Sequence, residues 1–458
     1  MEFTELVDIV KNAGVAGAGG AGFPSYGKLD PRAKTIILNC AECEPLLRLH
    51  RQLLAAHAYE ILSTLELMAE TIGADQVIVG VKEAYKDTVT ALKAQIDAFP
   101  RVSLGLLPEV YPAGDEVILI HETTGKVVPP GSIPIQVGVA VFNVETVYNI
   151  YQALNAHVPV TKKYITITGE VENPCTRVVP LGMTVQEVVS LAGGVTAKNP
   201  AYIMGGPMTG PIVSPQDVIT KTSNAILVLE ADHPVILKKQ GNAQINLKRA
   251  MAACCQCQMC TDLCPRYLLG HPIEPHAFMR AASTGTTQDV APFLNTMFCS
   301  SCGLCEMYSC SQGLSPRSLI QDYKAGLRAN GIKPPADVEV RPIDKAFDYR
   351  RVPLKRLRAR LGLNKYDVPA ALDEQAVHAE QVKLKLSQHI GAPATPMVKV
   401  GDRVSAGQLI GAAKEKALSL PVHASIDGIV IDVNDKAVTI KAVKGGKENG
   451  KSNRNGGI

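Results

Sequence analysis

The chain has 458 residues, 46% of them hydrophobic, enough for three or four cores at roughly 100 to 200 residues per domain. A formal net charge of only +4, with Lys and Arg scattered, excludes the basic footprint of a nucleic-acid binder. No run reaches the ~18 to 20 apolar residues of a membrane span, since Pro129, Pro130, Gly131 and Pro134 break the apolar stretch 127–142; residues 1–5 lack the basic and apolar parts of a signal peptide, so a cytoplasmic protein is expected.

Phe3, Leu6, Val7, Ile9 and Val10 fall at helical spacing and predict a first amphipathic helix. Gly14, Gly17, Gly19, Gly20 and Gly22 follow, then Phe23 and Lys28. Such a loop can turn backbone N–H groups toward a phosphate, with a lysine to neutralise it. It lacks the preceding strand of a dinucleotide fingerprint and the GKS or GKT ending of an NTPase loop. From Thr35 onward, β-branched runs at 35–38 and 76–80 alternate with helical patterns at about 45–72 and 87–98, the rhythm of a parallel sheet. Residues 164–230 read as strands, a short helix at 185–192 and further strands, hence a small α+β domain. The charged stretch 341–361 has no sustained apolar face and reads as a connector; 400–411 and 426–430 are short strands with glycine turns, a compact all-β unit. The Gly, Lys and Asn-rich tail reads as disordered.

Twelve cysteines in a reducing compartment need a reason other than disulfides. Nine of them lie between Cys254 and Cys310. The first run is Cys254-Cys255-x-Cys257-x-x-Cys260-x-x-x-Cys264-Pro265 and the second Cys299-x-x-Cys302-x-x-Cys305-x-x-x-x-Cys310. Three thiolates at spacing three reach three corners of a cubane, and the fourth ligand comes from the other run, as in two-cluster ferredoxins. Cys254, Cys257, Cys260 and Cys310 are expected to hold one cluster, and Cys264, Cys299, Cys302 and Cys305 the other. Cys255 reads as a bystander that could replace Cys254. The competing reading, two structural zinc sites, would pair doublets and not triplets followed by Cys-Pro. Cys40, Cys43 and Cys175 read as structural thiols.

Gly17-Ala18-Gly19-Gly20-Ala21-Gly22-Phe23-Pro24 with Lys28 resembles the FMN loop of the NADH-oxidising flavoprotein subunit of respiratory complex I. Three blocks follow in the same order: Asn39-Cys40-Ala41-Glu42-Cys43-Glu44-Pro45, Tyr111-Pro112-Ala113-Gly114-Asp115-Glu116 and Asn143-Val144-Glu145-Thr146. The block with Glu42-Cys43-Glu44-Pro45 and the stretch 128–141 are similar to the C subunit of the Rnf ferredoxin:NAD oxidoreductase. Nearly the full length resembles the cobalamin reductases of propanediol-utilisation microcompartments. The resemblance implies a multidomain α/β and α+β fold. Its parts would be a Rossmann-like FMN and NADH domain (1–158), a β-grasp domain (159–235) and a helical two-cluster ferredoxin-like domain (245–328). A connector (329–385), a C-terminal barrel-sandwich module (386–445) and a disordered tail (446–458) would complete it.

By the same resemblance, Gly19, Gly20, Gly22 and Lys28 would surround the FMN phosphate. Asn39, Glu116 and Asn143 would hold the ribityl chain and ring, while Phe23 and Glu44 would face the nicotinamide nucleotide. Gly17 and Glu42 complete the cofactor-binding set. The implied reaction carries electrons from NADH through FMN and two 4Fe-4S clusters to cobalamin or another one-electron acceptor. No Asp-x-His-x-x-Gly cobalamin motif occurs, so the corrinoid would be a transient substrate. The implied partners are NADH, cobalamin, and shell or cobalamin-handling proteins of a bacterial microcompartment. Two other classes compete: a peripheral Rnf-type subunit of a membrane ion pump, and a non-enzymatic scaffold that docks inside the shell through its β modules, with the first helix as a targeting element. The all-β module after the clusters favours the reductase.

Overall fold

The computed structural model describes residues 1–285, 288–336, 338 and 340–443. The β-branched runs form β1 (Thr35–Cys40), β2 (Gln76–Lys82), β3 (Val102–Leu107), the short β4 (Val110–Tyr111) and β5 (Val139–Asn143). Four of these make a parallel sheet in the order β3-β2-β1-β5. Such a sheet needs cover on both faces, which is why its strands are apolar without alternation. The cover comes from α1 (Phe3–Asn12), α2 (Leu49–Ala56), α3 (Ala58–Ile72), α4 (Lys86–Lys93), α5 (Glu116–Thr124) and α6 (Val144–Asn155). Ile36 and Leu38 pack with α2, α3 and α6 on one face, and Ile37 packs with Ile118, Leu119 and Ile120 of α5 on the other. Strand order reverses between β1 and β5, so a crevice opens at their carboxyl ends, where open α/β sheets bind ligands.

The expected single helix over 45–72 is two helices. His57 breaks it with φ −124° and ψ 41°, its ring 4.4 Å from Tyr148 and its Nε2 3.0 Å from Glu374 Oε1. Tertiary partners at one residue outweigh the helical propensity on either side. The apolar face of α1 is already covered: Leu6 and Val10 are buried, and Phe3, Val7 and Ile9 pack on the same core as Ile36 and Leu38.

The α+β domain contains β6 (Lys162–Gly169), β7 (Cys175–Pro180), β8 (Pro200–Met204), β9 (Ile212–Val213) and β10 (Ala225–Glu230). A helix, Val185–Ser190, begins at a capping box between Thr184 and Glu187. Fully buried Lys163 and Glu145 form an ion pair that joins this domain to α6.

The stretch read as a bare connector is built into the fold. Within it β11 (Val352–Pro353) pairs antiparallel with β4, and the helix Leu354–Arg360 buries Leu354 and Leu357. Arg351 pairs with Glu122 and Arg358 with Asp367, so the charges that hid the apolar positions have fixed partners. β12 (Leu372–Asp373) then extends the α+β sheet beside β7, giving the order β12-β7-β6-β10-β8-β9. The C-terminal β unit stacks a four-stranded and a three-stranded sheet, and its first strand, Gln381–Lys385, starts before the expected boundary at 386. The expected tail 446–458 lies outside the described residues. Among the described residues, no helix is long and apolar enough to cross a membrane.

Candidate active site and metal centres

At the carboxyl ends of β1 and β5 lies a cleft of about 590 Å³, within the usual range for cofactor sites. All eleven expected cofactor residues line it: Gly17, Gly19, Gly20, Gly22, Phe23, Lys28, Asn39, Glu42, Glu44, Glu116 and Asn143. The glycine loop forms a cradle. Gly17 N–H donates to Phe23 O at 2.8 Å and Ala18 N–H to Thr146 Oγ1 at 2.9 Å. The N–H groups of Gly19, Gly20 and Ala21 meet no acceptor among the described residues. A Cβ on Gly19 would stand 3.2 Å from Asn143 Nδ2, and Gly20 has a φ of 73°, which strains any side-chain-bearing residue. Lys28 Nζ donates to Glu116 Oε1 and Val141 O, each at 3.0 Å, across one wall. Glu116 is the first residue of α5, whose N-cap Asp115 accepts from Val117 and Ile118 N–H.

The other expected contacts are more engaged with protein than the sequence suggested. Asn39 Nδ2 donates to Gly114 O at 3.0 Å and its Oδ1 accepts from Ala41 N–H. Asn143 Oδ1 caps α6 through Glu145 N–H, and its Nδ2 lies 3.1 Å from His50 Nε2. Burial holds His50 down at about 4, so the imidazole is neutral and accepts that bond. Buried Glu42 accepts from His50 N–H at 2.8 Å and Arg51 Nε at 2.9 Å. Glu44, expected to face the nucleotide, instead takes three bonds from the α+β domain: Met208 N–H at 2.9 Å, Thr209 N–H at 2.8 Å and Thr209 Oγ1 at 2.5 Å. Its main contact is a domain junction.

Sequence reasoning missed His50, Thr146 and Asn224, which also line the cleft. Thr146 sits in one of the four blocks. His50 is a lone histidine on the apolar face of α2, and Asn224 comes from the neighbouring domain, held by Lys163 Nζ at 2.9 Å; nothing in the sequence marks either. Cys43, read as a structural thiol, lines the cleft as well, its thiol pushed up to about 11 by burial.

Cys254, Cys257, Cys260 and Cys310 line one pocket, together with Cys255. Cys260 lies within electrostatic reach of Cys310, Cys257 and Cys254, while Cys302 is in reach of Cys264 and Cys299, and Cys305 of Cys299 and Cys302. Among the described residues, no three His, Cys, Asp or Glu side chains converge as a single metal ion requires. Burial pushes Cys260 and Cys264 up to about 12 as free thiols, and raises Cys302 and Cys305 well above the ordinary thiol value. A buried set of thiolates therefore needs metal charge to exist. Cys254, not exposed Cys255, is half-buried at the end of its helix.

Comparison with known proteins reaches the whole chain. Cobalamin reductase PduS of Salmonella typhimurium (strain LT2) is 40% identical over 437 residues, 95% of this chain and 96% of that protein. The chain belongs to the PduS cobalamin reductase family. PduS of Citrobacter freundii is also 40% identical, over 432 residues, 94% of this chain and 95% of that one. The C subunit of the Na(+)-translocating ferredoxin:NAD(+) oxidoreductase complex of Acetobacterium woodii is 31% identical over 58% of this chain and 59% of its own length. Four family models match in order: the Nuo51 FMN-binding domain at 10–152, the SLBB domain at 164–212, a 4Fe-4S dicluster domain at 253–315 and the RnfC barrel sandwich hybrid domain at 370–445. The cofactors of this PduS relative are FMN and two 4Fe-4S clusters, and the cradle, the cleft volume and the eight thiols fit them. FMN supplies the conversion between two-electron hydride and single electrons, which thiolate-held clusters carry one at a time.

Proposed function

We propose that the protein is a reductase that passes electrons from NADH, through FMN at the cleft and the two clusters, to cobalamin, and that it works in or on a diol-utilisation microcompartment. The full-length relationship to cobalamin reductases carries this reading. The residue roles follow. The glycine loop and Lys28 take the FMN phosphate; Glu116, released from Lys28, Asn39 and Asn143 line the ribityl chain and ring; Phe23 shields the nucleotide side. Glu42 positions the helix that presents His50, and Glu44 locks the α+β domain against the cleft. Cys254, Cys257, Cys260 and Cys310 hold one cluster, and Cys264, Cys299, Cys302 and Cys305 the other.

The test is an anaerobic visible spectrum of the purified protein, titrated first with NADH and then with aquacobalamin. NADH bleaches the flavin, and aquacobalamin restores its absorbance while the cob(II)alamin band grows. A flavin that NADH leaves oxidised, or a reduced protein inert toward aquacobalamin, overturns the proposal. Shell association is read separately, by co-purification with intact microcompartments; α1, whose apolar face is packed on its own domain, is not the element that docks there.

A further inference from the structure

We propose that the two thiol sets act in series: the Cys264, Cys299, Cys302, Cys305 set receives electrons from the flavin cleft, and the Cys254, Cys257, Cys260, Cys310 set delivers them to a corrinoid acceptor at the face formed by residues 255–258. This rests on the reading above that flavin and clusters occupy these sites.

Three tethers fix the inner set against the cleft. Tyr111 Oη donates to Cys302 O at 2.5 Å, and the same ring lies within electrostatic reach of Glu44 and Cys43, which line the cleft. Arg266, two residues after Cys264, bonds Asp115 Oδ2 at 3.0 Å, the N-cap of the helix that begins with Glu116. A Cβ on Gly131 would stand 3.3 Å from the ring of Phe298, which precedes Cys299, and the same loop brings Ile133 and Pro134 to the cleft. Three of the four inner ligands thus touch the flavin domain themselves or lie one or two residues from a contact with it.

Among the described residues, the outer set has no such tether to the flavin domain. Its pocket is lined only by residues between Cys254 and Pro316, and Cys255 and Cys257 are exposed. Gln256 and Gln258 both adopt left-handed backbone, φ 58° and 66°, and residues 255–258 are exposed where they line the pocket. None of these four residues is Lys, Arg, Asp or Glu, so no side chain of that kind among them stands between the pocket edge and a bulky corrinoid. The two sets meet through Cys305 and Cys260, which are in electrostatic reach of one another. Electron tunnelling falls exponentially with distance, so the set wedged against the cleft accepts and the set open to solvent delivers.

Two variants test the order, each reduced first with dithionite to count the cluster it retains. In Cys257→Ser, rapid-freeze EPR after mixing with NADH shows the retained inner cluster reduced as fast as in the wild type, while aquacobalamin reduction falls by roughly tenfold or more. In Cys302→Ser, dithionite reduces the retained outer cluster, but NADH reduces it roughly tenfold or more slowly. Equal reduction in both variants, or the mirror image, overturns the series. A measurement on wild-type protein covers variants that do not load: brief treatment with an iron chelator, then alkylation and peptide mapping, labels Cys254, Cys257, Cys260 and Cys310 before the other four. Labelling of all eight together overturns the proposal. If NADH leaves wild-type flavin oxidised, the functional reading fails, and the chelator result still decides which set is outermost.

Discussion

Lys163→Met removes the cation of an ion pair whose side chains are 1% and 0% exposed. Glu145 then keeps one donor, Tyr164 N–H at 3.1 Å, and Asn224 loses the bond that holds its amide at the cleft. A buried charge stripped of its partner costs about 3–5 kcal/mol, while replacing both members with uncharged groups of similar size is close to neutral. The single variant is therefore expected to lose about 3–5 kcal/mol in the unfolding of the flavin and α+β domains, and the double variant Glu145→Gln/Lys163→Met to recover all but about 1 kcal/mol. Urea unfolding followed by circular dichroism, with flavin release followed by fluorescence, measures both; coincidence of the two signals marks the transition that matters. A single variant that costs less than about 1 kcal/mol, or a double variant no better than the single, refutes the account of this junction as a paired buried charge.

Gly19→Val places a side chain against Asn143 in the cradle and is expected to abolish flavin binding while iron content stays at about eight per chain, measured by fluorescence of the heat-released flavin and by iron assay. Cys255→Ser is expected to keep full iron and sulfide, because Cys254 occupies the ligand position; loss of about four irons would exchange the two. Lys221 is fully buried, bonded to Gly14 O at 2.6 Å and Pro421 O at 3.1 Å, and burial lowers it to about 7 from 10.5. Between those values the unfolded chain binds a proton that the folded chain does not, so stability rises with pH across the window, and Lys221→Met flattens that rise in Tm against pH. Neighbouring His423, lowered to about 4, has the same sign, and its effect lies between pH 4 and 6.5.

Spacing made the clusters legible, because two runs of three cysteines at intervals of three suit cubane corners, whereas zinc sites usually pair doublets. The parallel sheet was legible because buried strands such as β1 and β2 are apolar throughout. What escaped was non-local. Glu44 has the same acidic side chain whether it faces a nucleotide or the N–H groups of Met208 and Thr209, which lie over 160 residues away in sequence. The break at His57 depends on Tyr148 and Glu374, and the fold of 341–361 on a strand edge at Tyr111. Each is decided by a partner that sequence periodicity does not contain.

The pairing of β4 with β11 also orders events during synthesis. The edge at Tyr111 stays open until the ribosome has delivered Val352, and by then both cysteine runs have emerged. Tyr111 also donates its hydroxyl to Cys302 O, so one residue carries both the strand edge that Val352 closes and a bond to the cysteine-rich segment, and the last of these partners to be made is more than 240 residues away in sequence.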